Sequence, residues 1–236
     1  TARLLKHGNA KVGTAFEYQT SQDGREYAVP LVFEYGITDR LELMIEPVPY
    51  TKIQPVGITP ATGIGDAEIT LSYLLNPESA SFPAIALAGE VKIPTAKNTL
   101  IGTGKADYAF YLIGSKKFGS LDIHANVNYT IVGNPPGANL VNTWFFAGAF
   151  EYAMSKKSLL FGEVFGSTSS VPGSETDVVT PSSNQPAEAS GGELVGSLGA
   201  GYYLSPGFLG SLSVSYDNNN ATLVRVALSY TFSLFH

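Results

Sequence analysis

A two-residue alternation of apolar and polar side chains runs through residues 104–133 and constrains the fold more than any other feature of the sequence. Ala106, Tyr108, Phe110 and Leu112 share one face of its first half, and the alternation resumes after a turn at 115–119. Because neighbouring side chains of a strand point to opposite faces, this period predicts a hairpin of two β-strands. At about 3.3 Å per residue and a tilt of about 45°, strands of about ten residues cross a hydrocarbon layer of about 25 Å. We interpret the hairpin as the repeating unit of a transmembrane barrel.

The same alternation recurs along the chain and predicts a single all-β domain over residues 1–236, an antiparallel up-and-down barrel of about 12 strands. The connections after the even-numbered strands are short, whereas several of the others are long. Such an asymmetry is typical of bacterial outer-membrane barrels. We expect residues 1–10 to form a loose N-terminal periplasmic segment and residues 167–192 a long external loop. The connections at 50–63 and 94–104 are further candidates for loops that filter solutes.

Composition agrees with strands and tight turns rather than helices. Charged residues make up 14% of the chain, aromatic residues 11%, and there are 25 glycines. No apolar run reaches the length of about 18 residues that a membrane-spanning helix requires. The net charge of −6 provides no basic surface for nucleic acid. With no cysteine and three histidines, neither a disulfide, a metal site nor a cofactor is predicted.

A soluble, lipocalin-like barrel with its apolar side chains inside is the competing interpretation, because alternation alone does not say which face is inward. The polar face consists of Ala, Gly, Ser and Thr with isolated carboxylates and very few lysines, which is unlike a solvated surface. Twelve strands also enclose more space than the side chains that fill an eight-stranded barrel. The membrane interpretation is therefore favoured, and closure satisfies the backbone hydrogen bonds without water.

The parity of each strand assigns side chains to the lumen or to the lipid. The side chains predicted to line the pore are Glu17, Glu34, Glu42, Asp66, Glu68, Glu90, Lys92, Lys105, Asp107, Asp122, His124, Asn126, Glu151, Glu163 and Arg225, with Glu46 and Lys11 on the same face. The aromatic side chains predicted to form two girdles at the membrane surfaces are Tyr18, Tyr27, Tyr35, Tyr73, Tyr108, Tyr129, Trp144, Tyr152, Tyr202, Tyr216 and Tyr230.

Strand nine is the strand whose parity the sequence defines least well. If Leu160 and Val164 face outward, then Phe161 and Phe165 lie in the lumen and could contact an aromatic solute. A slip of one residue would turn both rings towards the lipid.

Four motifs resemble the outer-membrane family named for the MetA pathway of phenol degradation. They are YGITDRLEL (35–43), GIGDAEITLSYLL (63–75), GEVKIPTA (89–96) and DYAFYLIGSKKFG (107–119). The order and spacing of the resemblance extend over nearly all strands. Members of this family are regarded as transport channels and are often associated with the catabolism of aromatic compounds. The resemblance therefore implies passage of small solutes, aromatic or hydrophobic compounds among them.

These patterns favour a passive channel in the bacterial outer membrane, in its mature form after removal of a signal peptide. An excess of inward carboxylates would favour cations or neutral solutes, although the same charges could instead pair across the lumen and close it. A non-conducting structural or adhesive barrel is therefore a second hypothesis. An outer-membrane hydrolase is a third, but no serine lies on the strand face that carries His124, Asn126 and Asn128. We predict no enzymatic activity. The expected partners are membrane lipids or detergent, an unidentified small solute, and the barrel-assembly machinery during insertion.

Overall fold

All regular secondary structure that the computed structural model describes, over residues 1–171 and 193–234, is β-strand. The strands are β1 (Asn9–Thr20), β2 (Gly24–Val29), β3 (Leu31–Thr38), β4 (Leu41–Pro47), β5 (Tyr50–Pro55), β6 (Ala61–Gly63), β7 (Ala67–Asn76), β8 (Ala84–Ile93), β9 (Asp107–Phe118), β10 (Leu121–Ile131), β11 (Thr143–Ala153), β12 (Ser158–Ser167), β13 (Leu194–Ser205), β14 (Phe208–Asp217) and β15 (Thr222–Ser233). Within these residues there is no helix long and apolar enough to cross a membrane.

The strands form one antiparallel sheet that closes on itself. Each strand from β7 to β15 pairs with the next, and β15 returns to pair with β1 from Asn9↔Ser233 to Thr20↔Thr222. Closure leaves neither end of the sheet with an unpaired edge along its main wall.

Three wall strands are interrupted, and this is why fifteen segments make a barrel of twelve strands. Pro30 separates β2 from β3, residues 48–49 separate β4 from β5, and residues 64–66 separate β6 from β7. A proline has no N–H to donate to its neighbour, so a strand that contains one loses a ladder hydrogen bond there. The predicted fold class, an antiparallel barrel of about 12 strands, is confirmed.

The sequence analysis predicted a loop at residues 50–63, and this prediction is wrong. β5 pairs with β2 from Gly24↔Pro55 to Val29↔Tyr50, and β6 pairs with β5 at Thr51↔Gly63. These segments extend the wall beyond the interruptions, and only residues 56–60 connect them. Pro47 and Pro49 break the alternation in the sequence, but the partner strand restores the pairing on the far side of the break.

The two ends of the barrel differ in the length of their connections. One end has turns at 39–40, 77–83, 119–120, 154–157 and 206–207, and we call it the short-turn end. The other end, the long-loop end, has connections at 21–23, 56–60, 94–106, 132–142 and 218–221. It also receives the segment after Ser167; of the predicted loop 167–192, residues 172–192 lie outside the described part of the chain.

The apolar faces of the strands point away from the barrel axis. Phe110, Val164 and Leu198 each expose more than half of their surface, whereas Ser115 is the largest side chain that is fully buried among the described residues. A soluble protein buries such apolar side chains, and this chain presents them outward all around the wall. The lipocalin-like alternative, with apolar side chains inside, is therefore wrong.

The first eight residues do not form a loose segment, as the sequence analysis expected. They fold back into the short-turn end of the barrel, where Ala2 has no exposed surface and packs against Ala84 and Ala86 of β8. The backbone N–H of Gly8 donates to the carbonyl of Gly36, and β1 already begins at Asn9. The missing two-residue period made this segment look unstructured, because its residues contact the inner wall and the turns of the barrel instead of pairing as a strand of the sheet.

Candidate functional site

The lumen contains a cavity of about 1000 Å³, which is lined by residues of β1, β3, β4 and β11–β15. A second cavity of about 280 Å³ lies next to the N-terminal segment and is bounded by β10, β11 and β12. Glu151, Phe161 and Glu163 line both cavities, so the two spaces meet along β11 and β12. We treat the larger cavity, together with this shared boundary, as the candidate functional site.

Several of the inward acids form ion pairs with the few inward cations. The Nζ of Lys11 lies 2.8 Å from Oε1 of Glu34. The Nε of Arg225 lies 3.2 Å from Oε1 of Glu17 on the neighbouring strand. These pairs join adjacent strands, since Lys11 is opposite Glu34 and Glu17 is opposite Arg225 in the sheet. They connect β1 to its two neighbours.

Lys92 forms a second charged group near the long-loop end. Its Nζ lies 2.6 Å from Oδ2 of Asp107 and 3.9 Å from Oδ2 of Asp66. The other oxygens of these carboxylates accept hydrogen bonds from the backbone, Asp66 from Ala96 at 2.9 Å and Asp107 from Gly133 at 2.7 Å. The acids therefore fix the loops at 94–106 and 132–142 to the wall.

Glu42 and Glu90 are held by hydrogen bonds rather than by cations. Glu42 accepts from the backbone N–H of Leu5 at 2.6 Å. Glu90 accepts from the hydroxyls of Tyr111 at 3.1 Å and Thr70 at 3.0 Å. Together with the ion pairs, these contacts give many of the predicted pore acids a structural role.

Glu46, Glu151 and Glu163 differ from those acids, and we call them the open acids. All three line the larger cavity. Within residues 1–171 and 193–234, their carboxylates form no ion pair within 4.0 Å and no hydrogen bond. β4 and β12 lie on opposite sides of the ring of wall strands, so Glu46 faces Glu163 across the lumen.

The remaining residues that were predicted to line the pore are divided between the two cavities, the wall beside Lys92 and a loop. His124 and Asn126 line the smaller cavity, and Arg225 lines the larger one. Glu68 is paired in register with Lys92 on β8. Lys105 lies in the loop before β9 and borders neither of these two cavities.

Much of the larger cavity is lined by side chains that the charge-based prediction left out. The additional lining side chains are Leu159, Val195, Ser197, Tyr203, Leu209, Ser211, Ser213, Ser215, Leu223 and Ser229. Each of them shares the parity of an inward residue on its strand, so the alternation could have identified them. The sequence analysis described the inward face as rich in Ala, Gly, Ser and Thr, but its list of pore-lining residues named the charged side chains with His124 and Asn126 and left out these hydroxyl and apolar groups.

Phe161 and Phe165 both lie on the lumen side of β12. The ring of Phe165 stacks on that of Phe145 of β11, with 5.6 Å between the ring centroids. The ring of Phe161 lies across Gly199 of β13, where a Cβ atom would come within 2.4 Å of it. The inner wall therefore carries an aromatic strip beside the open acids.

His124 has a serine partner that the sequence analysis missed. Ser115 lies opposite His124 in the β9–β10 hairpin, and its Oγ is 2.8 Å from Nδ1 of the ring. Counting outward from the turn at 119–120 would have paired them. The same Oγ accepts a hydrogen bond from the backbone N–H of Ala2 at 2.8 Å, and Ser115 is 1% exposed. A nucleophile must reach a substrate carbonyl, so this enclosed hydroxyl serves to anchor the N-terminal segment.

Arg3 fixes that segment to two further acids. Its guanidinium donates to Oδ1 of Asp122 at 2.7 Å and also contacts Glu78 in the turn at 77–83. Glu78 in addition accepts the backbone N–H of Lys117 at 3.0 Å. This backbone hydrogen bond, reinforced by Arg3, holds the pKa of the Glu78 carboxyl below its ordinary value.

The aromatic side chains predicted for the girdles lie at the two ends of the wall. Tyr18 and Tyr27 pair at the long-loop end with ring centroids 5.1 Å apart, and Tyr129 and Trp144 do so at 4.9 Å. The girdle side chains that expose more than a third of their surface are Tyr73, Tyr108, Trp144, Tyr152, Tyr202, Tyr216 and Tyr230. Those that are half-buried are Tyr18, Tyr27, Tyr35 and Tyr129.

The described residues include no group of three or more His, Cys, Asp or Glu side chains that could hold a metal ion. No protein-family model matches the chain, and no curated protein matches it either.

Solved structures do match. The chain is similar to the COG4313 outer membrane channel from Pseudomonas putida F1, with 12% sequence identity, a TM-score of 0.72 and coverage of 98% of each chain. It is similar to the NanC porin, with 10% identity, a TM-score of 0.64 and coverage of 93% of this chain and 98% of that one. It is also similar to the KdgM porin in complex with disordered oligogalacturonate, with 13% identity, a TM-score of 0.61 and coverage of 94% and 99%. At these identities the shared property is the fold, a closed barrel of the porin type.

Proposed function

We propose that this chain is a channel of the bacterial outer membrane through which small solutes diffuse down their gradients. The observation that carries this proposal is the cavity of about 1000 Å³ inside a closed barrel whose apolar side chains face outward. A purely structural barrel would be expected to fill its interior with side chains, as eight-stranded barrels do. In this proposal, lipids surround the wall, the long-loop end faces the exterior, and the barrel-assembly machinery inserts the chain.

The open acids support a preference for cations. Among the described residues, the cations that line the cavity are Lys11 and Arg225, and each of them is already paired with an acid that does not border the cavity. Glu46, Glu151 and Glu163 therefore add negative charge that no bound side chain balances. Rings of carboxylates favour cations in aqueous pores.

A bilayer measurement tests both the channel and its selectivity. Purified protein in a planar bilayer under a KCl gradient is expected to conduct, with a reversal potential that indicates preference for K⁺ over Cl⁻. Replacing the open acids together, Glu46→Gln, Glu151→Gln and Glu163→Gln, should shift that potential towards zero because the uncompensated charge is removed.

Asp23→Asn is the matched control for charge, because Asp23 lies in the exposed turn at 21–23 and does not line the cavity. It should leave the reversal potential close to that of the wild type. Anion preference in the wild type would contradict the proposed selectivity. Absence of both conductance and solute-driven liposome swelling would favour the non-conducting structural barrel instead.

The motif resemblance to the MetA-pathway family supports aromatic or hydrophobic compounds among the solutes. The aromatic strip of Phe145, Phe161 and Phe165 is consistent with that expectation, since aromatic rings pack favourably against one another. Hydrolysis is not favoured by any contact of His124 or Ser115.

A further inference from the structure

We propose that the lumen preferentially binds organic cations, that is, solutes in which a positively charged nitrogen is attached to an apolar or aromatic body. The binding site is the inner face of β12 with the adjoining part of β11. This inference rests on the proposed function as a channel, and it narrows the class of solute that the channel takes.

The inner face of β12 alternates aromatic and acidic side chains. Phe161, Glu163 and Phe165 follow one another at intervals of two residues and all line the larger cavity. In the neighbouring strand, Glu151 is directly opposite Phe161. One ring, Phe161, therefore lies between two open acids, Glu163 along its own strand and Glu151 across the sheet.

The surrounding wall leaves these groups accessible. The residues in register with Glu163 are Ala149 on one side and Ser197 on the other, and those in register with Phe165 are Ala147 and Val195. Gly199 allows the ring of Phe161 to lie against the wall instead of standing out into the lumen. Small neighbours therefore leave room for a solute to contact a ring and a carboxylate at the same time.

A buried acceptor lies next to the same groups. Oδ1 of Asn126 has no hydrogen-bond partner within the described parts of the chain, and Asn126 lines the smaller cavity together with Glu151, Phe161 and Glu163. An unsatisfied buried acceptor is costly, and a solute with N–H donors would satisfy it. A carboxylate solute has no donor to offer and would meet like charges.

An organic cation interacts with the aromatic rings and with the carboxylates of this site at the same time. A cation over an aromatic face gains from the ring quadrupole, and the nearby carboxylates add attraction that is stronger in the partly enclosed lumen than in bulk water. A small inorganic cation gains the second interaction without apolar contact. A neutral aromatic molecule gains the apolar contact without the charge. Only an organic cation gains both.

The test measures how well three matched probes reduce the K⁺ current through the wild-type protein in a bilayer at neutral pH. Benzylammonium carries charge and ring, methylammonium carries charge alone, and benzyl alcohol carries the ring alone. Benzylammonium is expected to reduce the current at a concentration about tenfold lower than either of the others. Equal potency of benzylammonium and methylammonium, or of benzylammonium and benzyl alcohol, would overturn the proposal.

Two substitutions on β12 test whether the binding site lies on its inner face. Phe161→Ala and Glu163→Gln should each raise the concentration of benzylammonium required by several-fold, about three to ten times. The matched controls are Phe146→Ala, which removes an outward ring of β11, and Asp23→Asn, which removes a charge outside the cavity. Unchanged potency in both lumen variants, or equal losses in the controls, would also overturn it.

The experiment separates this inference from the proposed function. If the wild-type protein carries no K⁺ current, the proposed channel function fails. Calorimetric binding of benzylammonium to the detergent-solubilised protein then decides the inference by itself. Binding that Glu163→Gln weakens supports the site, and absence of binding overturns it.

Discussion

Gly36 illustrates how a single missing side chain allows the N-terminal segment to occupy the barrel. A Cβ atom at this position would lie 2.3 Å from the carbonyl oxygen of Lys6 and 2.6 Å from that of Leu5. Both neighbours are backbone atoms, so neither can move away by a change of rotamer. The close approach of β3 and the segment therefore requires glycine, although the backbone conformation of Gly36 is one that alanine also adopts.

Gly36→Ala is expected to displace the N-terminal segment without unfolding the barrel. The added methyl group should weaken docking of the segment by about 1–3 kcal/mol, because overpacking at a close contact has costs of this size. Trypsin should then cleave after Arg3 faster than in the wild type. Gly89→Ala is the matched control, since an added Cβ at Gly89 meets nothing within 4 Å. Equal cleavage rates in the two variants would contradict this account.

At the residue scale, parity predicted the direction of a side chain but not its partner. Phe161 and Phe165 lie on the lumen side because a strand fixes alternate directions. The contact of His124 with Ser115 depends on the register of the hairpin, and the carboxylate of Glu42 is occupied by Leu5 from another part of the chain. Which acids are paired and which are open follows from such long-range contacts, so the sequence alone could not distinguish Glu46 from Glu42.

Lys92 links its own strand, β8, to the strands on either side of it near the long-loop end. Its side chain on β8 lies between Asp107 at the start of β9 and Asp66, which precedes β7. The three side chains have only 4–17% of their surface exposed. One cation therefore balances acids on both sides of its strand, and those acids also fix two loops.

Lys92→Met is expected to destabilise the barrel by about 3 kcal/mol or more, because it leaves buried carboxylates without their cation. Equilibrium unfolding in urea, followed by the fluorescence of Trp144, measures the change. Lys156→Met serves as the control, since Lys156 lies in the exposed turn at 154–157. A similar, small effect of both substitutions would show that the Lys92 pairs contribute little.

At the element scale, the sequence predicted the uninterrupted strands well. The paired lengths of β9, β10 and β15 agree with their alternation because hydrogen bonding and side-chain direction share the same period. The interrupted strands were harder to predict. Pro47 and Pro49 remove local signals of a strand, whereas the neighbouring strands continue and supply partners beyond the break.

For the whole molecule, the N-terminal segment occupies part of the lumen. Its first residues lie beside β8, β9 and β10, whereas the larger cavity is lined by β1, β3, β4 and β11–β15. Removing the segment should open the opposite half of the lumen. The wall itself should remain, because β1 begins at Asn9 and pairs with β15 along its whole length.

Deletion of residues 1–6 is therefore expected to raise the single-channel conductance. It should also strengthen the preference for cations, since Glu42, Glu78 and Asp122 lose the donors that they now bind. Arg3→Gln, which retains the backbone of the segment, should change selectivity more than conductance. Conductance that stays the same after the deletion would mean that the segment does not limit the pore.

The barrel architecture could be predicted from the sequence because the same two-residue alternation recurs in strand after strand around the ring. The position of the first eight residues could not, since they have no period and contact several distant strands and turns through single hydrogen bonds and small apolar contacts. Their docking is a property of the finished barrel, in which distant surfaces such as Gly36 and Ser115 are already in place.

The seam between β1 and β15 joins the earliest strand to the latest, and Leu234 donates its N–H to the carbonyl of Gly8 beside it. The β1–β15 and β14–β15 pairs both need residues 222–233, so the sheet closes only when β15 is in place. A chain that lacked β15 would leave both β14 and β1 with an unpaired edge at this seam. The twelve residues of β15 therefore complete the barrel wall, and without them the wall does not surround the lumen.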